Sequence, residues 1–192
     1  MGVHLFEKYC GRLRAAVEAC RKREWFAAFP EVPSGRFYGA EAPQLGKAAF
    51  EARRGRRFAL PGQPTAGEWI GCENSPWGLR LDITYPTPEP TSMLRAARAA
   101  VIGWRDAGVE GRLGVCLEIL HQLNRRSFEL AHAVMHTTGQ SFVMAFQAGG
   151  PHAQDRALEA LAYAWEAMRF HPGEVTFERP VGGDRVERLR KV

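Results

Sequence analysis

The segment from Thr87 to His171 constrains the fold most strongly, because it reads as a series of amphipathic helices with clear breaks. Apolar residues recur through it at three- and four-residue intervals, the periodicity of a helix with one buried face. Glycine and proline interrupt the pattern near Gly108, at Gly139 and at the Gly-Gly-Pro string of 149–151. Such residues end helices and begin new ones. The sequence therefore predicts a mainly α-helical bundle.

The breaks also predict where these helices begin. Thr87 and Pro88 predict an N-cap and first helical residue for a helix that ends near Gly108. A long periodic segment follows Val109, with apolar residues sharing one face. Pro151 predicts the start of the last helix of the series.

The rest of the chain contributes shorter elements. Helical spacing predicts helices at 3–25 and 43–54, and alternation of apolar and polar residues predicts one short strand or hairpin near 78–85. Valine and phenylalanine after position 174 predict an extended C-terminal arm, whose charged end could be frayed. We divide the chain into an N-terminal helical extension and loop (1–67), a strand-plus-helix unit that packs with it as one domain (68–174), and an extended arm or frayed tail (175–192).

Composition narrows the class of protein. Hydrophobic residues make up 45% of the chain, but no apolar run reaches the ~20 residues that span a bilayer. The start of the chain lacks a cleavable signal pattern. We therefore expect a cytoplasmic protein with no membrane partner. The four cysteines form no C-x-x-C pair, so we expect them to be reduced and structural.

Histidine and glutamate spacing raises the question of a metal site. Glu118 with His121, and Glu129 with His132, match Glu-x-x-His, and His132 with His136 has the i, i+4 spacing of a zinc clamp. Both Glu-x-x-His pairs lie on one predicted segment, about 16 Å apart at 1.5 Å rise per residue, whereas a di-iron centre needs facing helices. No third ligand accompanies the two histidines, so we expect surface or core-edge histidines and no metal.

A basic cluster raises the question of nucleic-acid binding. Residues 1–57 hold 12 Lys+Arg and 6 Asp+Glu, and the cluster Arg53, Arg54, Arg56 and Arg57 lies at their end. Clustered arginines neutralise phosphates, and Phe50 or Phe58 could stack on bases. No recognition motif accompanies them. We expect a solvated basic face or one that docks on an acidic partner, which makes nucleic acid an alternative rather than the favoured partner.

The sequence has no recognisable catalytic or nucleotide-binding motif. Ser141 follows a helix break and is expected to be a turn or cap residue. Cys72 has Glu73 beside it, which would raise the pKa of a thiol, and no base to activate it. Neither Gly149 with Gly150 nor the glycine pair at 182–183 forms G-x-G-x-x-G. We therefore assign no catalytic and no cofactor-binding residue.

Several strings resemble known proteins. Met-Leu-Arg-Ala-Ala-Arg-Ala-Ala at 93–100, Arg-Leu-Gly-Val-Cys-Leu at 112–117 and Phe-Glu-Leu-Ala at 128–131 resemble the N-terminal helices of aldehyde dehydrogenases. Asp-Ile-Thr-Tyr-Pro at 82–86, Ala-Val-Met-His-Thr-Thr-Gly-Gln at 133–140 and Ala-Phe-Gln-Ala-Gly-Gly-Pro-His-Ala-Gln-Asp-Arg at 145–156 resemble, more narrowly, the PaaN-type phenylacetic acid degradation proteins. The resemblance extends over nearly the whole of this chain. In the longer proteins of that family, it extends over the N-terminal region only.

The resemblance implies a function. The family oxidises the CoA-linked aldehyde formed when the activated ring of phenylacetyl-CoA is opened, using NAD or NADP and a cysteine thioester. Its nucleophile, general base and cofactor glycines follow this region, and none has a counterpart here. What carries over is a wall of the substrate tunnel, placed here at Gln147, Gly150 and His152. A helix–helix corner held by its glycines is an equally good interpretation of these residues.

The expected function follows from what is missing. We expect the non-catalytic N-terminal portion of such a dehydrogenase, inactive alone and without a bound cofactor. It could be a truncated gene product, a fragment or a stand-alone subunit with a separate catalytic chain. Apolar surface that the parent enzyme covers would be bare here, so we expect a homo-oligomer. The alternatives are a nucleic-acid-binding module and a metal-binding helical protein.

Overall fold

The computed structural model describes residues 2–63, 65–71 and 73–191. The fold is mainly helical, with two small hairpins. Its elements in chain order are α1 (Val3–Lys22), α2 (Gly35–Tyr38), α3 (Ala42–Glu51), β1 (Thr65–Ile70), β2 (Tyr85–Pro88), α4 (Pro90–Asp106), α5 (Gly108–Arg125), α6 (Ser127–Thr138), α7 (Phe142–Gly149), α8 (Pro151–Arg169), β3 (Val175–Gly182) and β4 (Arg185–Lys191). The predicted mainly α-helical class is confirmed.

The main core lies between α1, α5 and α8. The apolar face of α1 contributes to it, since Leu13 is only 1% exposed and packs with Leu117 of α5 and Leu158 of α8. The α1–α5 crossing is close because Gly114 has no side chain: a Cβ there would lie 2.3 Å from the carbonyl oxygen of Gly2. Glycine at this position therefore sets the distance between the two helices.

Two smaller clusters support the rest of the molecule. Phe50 of α3 packs with Leu81 and Ile83. On the other side of α6, Phe128 packs with Phe146 of α7. The ring of Tyr38 meets both of these phenylalanines edge-on, at centroid distances of 5.6 and 5.5 Å, a favourable arrangement for aromatic pairs. Together these contacts attach α2 and α3 to the α6–α7 pair.

The long segment predicted after Val109 is two helices. Arg126, with φ −106° and ψ 14°, separates α5 from α6. The apolar residues predicted to share one face therefore belong to two different cores. Leu117 packs against α1 and α8, whereas Ala131 packs with Phe128 and Phe146. The predicted N-cap at Thr87 is also displaced: Glu89 caps α4 by accepting from the Thr91 N–H at 3.0 Å, and Pro90 follows it.

The β element lies beside the predicted position rather than on it. Strands β1 and β2 form an antiparallel hairpin, and residues 78–84 between them make only isolated bridges. Asp82 interrupts an extended path because its φ is 49°, in the left-handed region. The predicted alternation of burial is nevertheless present, since Leu81 and Ile83 are buried and Asp82 is exposed. Periodicity identified the inward side chains but not the strand.

The C-terminal arm is a second hairpin. Strands β3 and β4 pair from Val175 with Lys191 to Gly182 with Arg185. Residues 185–191 are thus paired rather than frayed. Four apolar residues of the hairpin, Val175, Phe177, Val181 and Val186, are exposed. The predicted division into 1–67, 68–174 and 175–192 stays a prediction. Within the described residues, no helix is both long and apolar enough to cross a membrane.

Candidate functional site

The corner between α7 and α8 contains the three residues predicted to form a tunnel wall. Ser141 caps α7 by accepting from the Met144 N–H at 3.4 Å, as its position after a helix break predicted. Pro151 begins α8. Between the helices, Gly150 is buried, and a Cβ there would lie 2.5 Å from the Phe146 carbonyl oxygen. The corner therefore requires glycine at 150.

A buried polar network lies beneath this corner. Gln154, 4% exposed, accepts a hydrogen bond from the Asn124 side chain at 2.9 Å. Ser127, 1% exposed, donates to the Asn124 carbonyl oxygen at 2.8 Å. Hydrogen bonds of this kind offset the free energy that is lost when polar side chains are buried away from water. The network fixes the start of α8 against the α5–α6 junction.

Asp155 attaches the loop after α1 to the same corner. Its Oδ1 accepts from the Ala28 N–H at 2.8 Å, and the residue is 5% exposed. Burial raises the pKa of Asp155 above its ordinary value, while the backbone N–H groups of Ala28 and Phe29 act in the opposite direction. A buried carboxyl that accepts from backbone N–H groups is an anchor for the chain.

The three predicted wall residues differ in their surroundings. Gly150 is inside the corner, whereas Gln147 is half-buried. The side chain of His152 is 58% exposed, and its Nδ1 lies 3.2 Å from Glu31 Oε1. Only Gln147 and His152 therefore present side chains that a bound molecule could reach. That these residues line a substrate tunnel stays a prediction.

The histidines considered as metal ligands pack on an aromatic ring. Phe50 stacks on His136 at a centroid distance of 5.1 Å and on His132 at 5.9 Å. His136 Nδ1 lies 2.9 Å from the Ser75 hydroxyl oxygen. Burial lowers the pKa of both histidines, which favours neutral rings. Within the described residues, no group of three or more His, Cys, Asp or Glu side chains is placed to hold a metal.

The basic cluster is partly neutralised by the chain itself. Arg53 pairs with Glu129 at 3.2 Å, and Arg54 pairs with Glu51 at 2.7 Å. Arg57 lies over the Trp69 ring at 5.0 Å from its centroid. Guanidinium groups committed to internal partners cannot all contact a nucleic-acid backbone. The structure therefore does not favour the nucleic-acid alternative.

The cysteines show no catalytic arrangement in the described part of the chain. Cys10, Cys20 and Cys116 are half-buried free thiols. Cys20 borders a cavity of about 450 Å³ between α1 and α8, which Asp155 and Tyr163 also line. Cys72 lies outside the described residues. Sequence patterns missed both this cavity and the Asp155 anchor, because each joins residues that are far apart in the chain.

Helix α4 exposes five large apolar side chains, namely Met93, Leu94, Val101, Ile102 and Trp104. Every residue of Pro90–Asp106 is exposed or half-buried. Three of the five recur at helical intervals and share one face of α4: Leu94 is 53% exposed, Val101 59% and Trp104 47%. Contiguous apolar surface of this kind marks an interaction site. We call Leu94, Val101 and Trp104 the α4 stripe.

The comparisons with known proteins point to one kind of enzyme. No protein-family model matches the chain, and no curated protein matches it. Among solved structures, the chain is similar to the crystal structure of an NAD-dependent aldehyde dehydrogenase from Burkholderia multivorans, with 48% sequence identity and a TM-score of 0.92. The match covers 97% of this chain and 33% of that protein. The chain therefore spans one third of the length of the dehydrogenase that it matches.

This match confirms the coarser part of the resemblance. The chain has the fold of a helical portion of an aldehyde dehydrogenase, and its sequence agrees with that protein at nearly half of the aligned positions. The similarity supports the aldehyde dehydrogenase superfamily.

Proposed function

We propose that the chain is the N-terminal helical portion of a PaaN-type phenylacetic acid degradation dehydrogenase that acts in the cytoplasm. The observation that carries the proposal is the 48% identity to an NAD-dependent aldehyde dehydrogenase over 97% of the chain. The narrower assignment is supported by the strings at 82–86, 133–140 and 145–156. The substrate is then the CoA-linked aldehyde that ring opening produces.

Gene deletion tests the pathway assignment. Removing the coding region from its host should abolish growth on phenylacetate as sole carbon source and leave growth on succinate intact. Supplying the gene on a plasmid should restore growth. Normal growth of the deletion strain on phenylacetate would refute the assignment to this pathway.

The chain is proposed to be non-catalytic alone. This part of the proposal is supported by the sequence, which has no G-x-G-x-x-G string. The purified chain, incubated with NAD or NADP and aliphatic or aromatic aldehydes, should form no reduced nicotinamide. Steady turnover above the rate without protein would show that a catalytic site exists.

The α4 stripe is the proposed contact for partners. Three exposed apolar side chains on one helix face favour association, either with further copies of the chain or with a separate catalytic chain. We expect light scattering at micromolar concentration to give a dimer or larger species. Changing Val101 and Trp104 to glutamate should shift the species toward the monomer.

A matched control tests whether the stripe itself is responsible. Ala99 is exposed and lies on the face of α4 opposite Leu94, Val101 and Trp104. Ala99→Glu should leave the oligomeric state unchanged. A monomeric wild-type chain, or equal dissociation by Ala99→Glu and the stripe variant, would contradict the proposed contact.

A further inference from the structure

Part of the basic cluster lines a pocket. Arg53, Arg56 and Arg57 surround a depression of about 370 Å³ beside the C-terminal end of α3. Phe58 and Ile83 supply apolar surface to the same pocket. This volume lies within the range of small-molecule sites, which is roughly 300–1,000 Å³. The arginines are therefore arranged around a concavity and not only along a surface.

The positive charge in this pocket is only partly compensated. Arg53 pairs with Glu129 at 3.2 Å, although Arg126 also contacts this carboxylate, at 2.8 Å. Arg57 is held over the Trp69 ring, which orients the guanidinium without removing its charge. The Arg56 side chain has no hydrogen-bond or ion-pair partner among the described residues. Two guanidinium groups thus remain available in one pocket.

We propose that this arginine pocket binds a small phosphate-bearing anion. The planar guanidinium fork matches phosphate oxygens in bidentate geometry. A phosphate monoester carries about −1.5 to −2 charge at neutral pH, which matches the two uncompensated arginines, whereas a single carboxylate carries one charge. Phe58 and Ile83 leave room for an apolar or aromatic part of the ligand. This proposal does not depend on the assignment to phenylacetate degradation.

The shape of the pocket favours a small ligand over a nucleic acid. Arg54, the fourth member of the cluster, is turned to Glu51 and to the Arg80 carbonyl oxygen, at 2.7 and 3.1 Å. The free arginines are therefore confined to one depression and do not form a track for a polyanionic backbone, which would require many phosphate contacts.

Calorimetry with defined probes tests the proposal. Pyrophosphate and adenosine 3′,5′-bisphosphate should bind the full chain, and added salt should weaken both. Adenosine and acetate should bind at least tenfold more weakly than the bisphosphate. Tighter binding of the bisphosphate than of pyrophosphate would identify a nucleoside phosphate as the ligand class, and equal binding would identify the phosphate alone.

Paired arginine variants supply the control. Arg56→Gln should weaken binding about tenfold, the effect of losing one charged hydrogen-bonding group, and adding Arg57→Gln should weaken it further. The double variant Arg95→Gln/Arg98→Gln removes the same charge from the exposed surface of α4 and should change the affinity less than twofold. Arg56→Gln should keep the wild-type melting temperature, because that side chain has no internal partner in the described structure.

Three results would overturn the proposal. The first is absence of binding of both phosphate probes at millimolar concentration. The second is equal loss of affinity in the Arg56 variant and the α4 control, which would mean that only net charge matters. The third is affinity for oligonucleotides that rises with their length and exceeds that for the bisphosphate, which would indicate a nucleic-acid site.

Discussion

The anchor made by Asp155 gives the sharpest test of how the corner is held. Replacing Asp155 with alanine removes the oxygen that accepts from the Ala28 N–H and leaves this partly buried donor without a partner. A buried unsatisfied donor costs about 1–3 kcal/mol. For a domain of this size, a loss of about 2 kcal/mol lowers Tm by roughly 4–8 °C. We expect Asp155→Ala to have an effect of this size.

The asparagine variant separates the hydrogen bond from the charge. Asp155→Asn keeps an acceptor oxygen at the same position and removes the buried charge. Because burial raises the pKa of Asp155, the ionised carboxylate is less favourable in the folded chain than in the unfolded chain. The asparagine variant should therefore remain within about 1 kcal/mol of wild type at neutral pH.

The raised pKa also fixes the sign of a pH dependence. Below the ordinary pKa of 3.8, Asp155 is protonated in both states and costs the folded chain nothing. As the pH rises through the raised folded value, the carboxyl must ionise in a buried position, and that part of the stability is lost. The free energy of unfolding of wild type should thus fall relative to Asp155→Asn as the pH rises.

Urea unfolding at several pH values measures all three chains. The expected order at neutral pH places Asp155→Asn close to wild type and Asp155→Ala clearly below both. Equal destabilisation in the two variants would mean that the negative charge itself is required. A pH-independent difference between wild type and Asp155→Asn would refute the argument from burial.

Two further predictions concern close contacts elsewhere. Gly150→Ala places a Cβ 2.5 Å from the Phe146 carbonyl oxygen and should cost about 1–3 kcal/mol in urea unfolding, whereas Gly103→Ala meets nothing within 4 Å and should be neutral or stabilising. Tyr9 donates to Glu118 at 2.6 Å and is the main reason that the pKa of this carboxyl is lowered to about 2. Tyr9→Phe should raise that pKa toward 4.5 in an NMR titration, and an unchanged value would assign the effect to other neighbours.

Helical periodicity predicted the core well where helices pack within the chain. Leu13 and Val17 of α1, and Leu158 and Ala162 of α8, recur at four-residue intervals in the sequence and are buried. The same pattern on α4 identified the apolar face but not its environment, because Trp104 and its neighbours on that face are exposed. Periodicity predicts which face of a helix is apolar, but it does not predict whether another part of the chain covers that face.

Sequence patterns did not predict the polar contacts between residues that are far apart in the chain. The Asp155–Ala28 hydrogen bond joins residues that are 127 positions apart. The pair formed by Gln154 and Asn124 joins two different helices, and neither residue belongs to a recognised motif. The spacing of residues in the sequence reveals local structure such as the Ser141 cap. The contacts of Asp155 and Gln154, in contrast, depend on how the helices pack in three dimensions.

The anchors bear on the two interpretations of the α7–α8 corner. Gly150, Gln154 and Asp155 hold the backbone from inside, so changing them should change stability. Gln147 and His152 present side chains outward, and the contact of His152 with Glu31 is an exposed one that contributes at most about 1 kcal/mol. Alanine at Gln147 or His152 should therefore leave unfolding almost unchanged. If these two residues line a substrate tunnel, the alanine variants should instead weaken ligand binding or turnover of an assembled dehydrogenase. If the corner is only structural, the variants should change neither binding nor turnover.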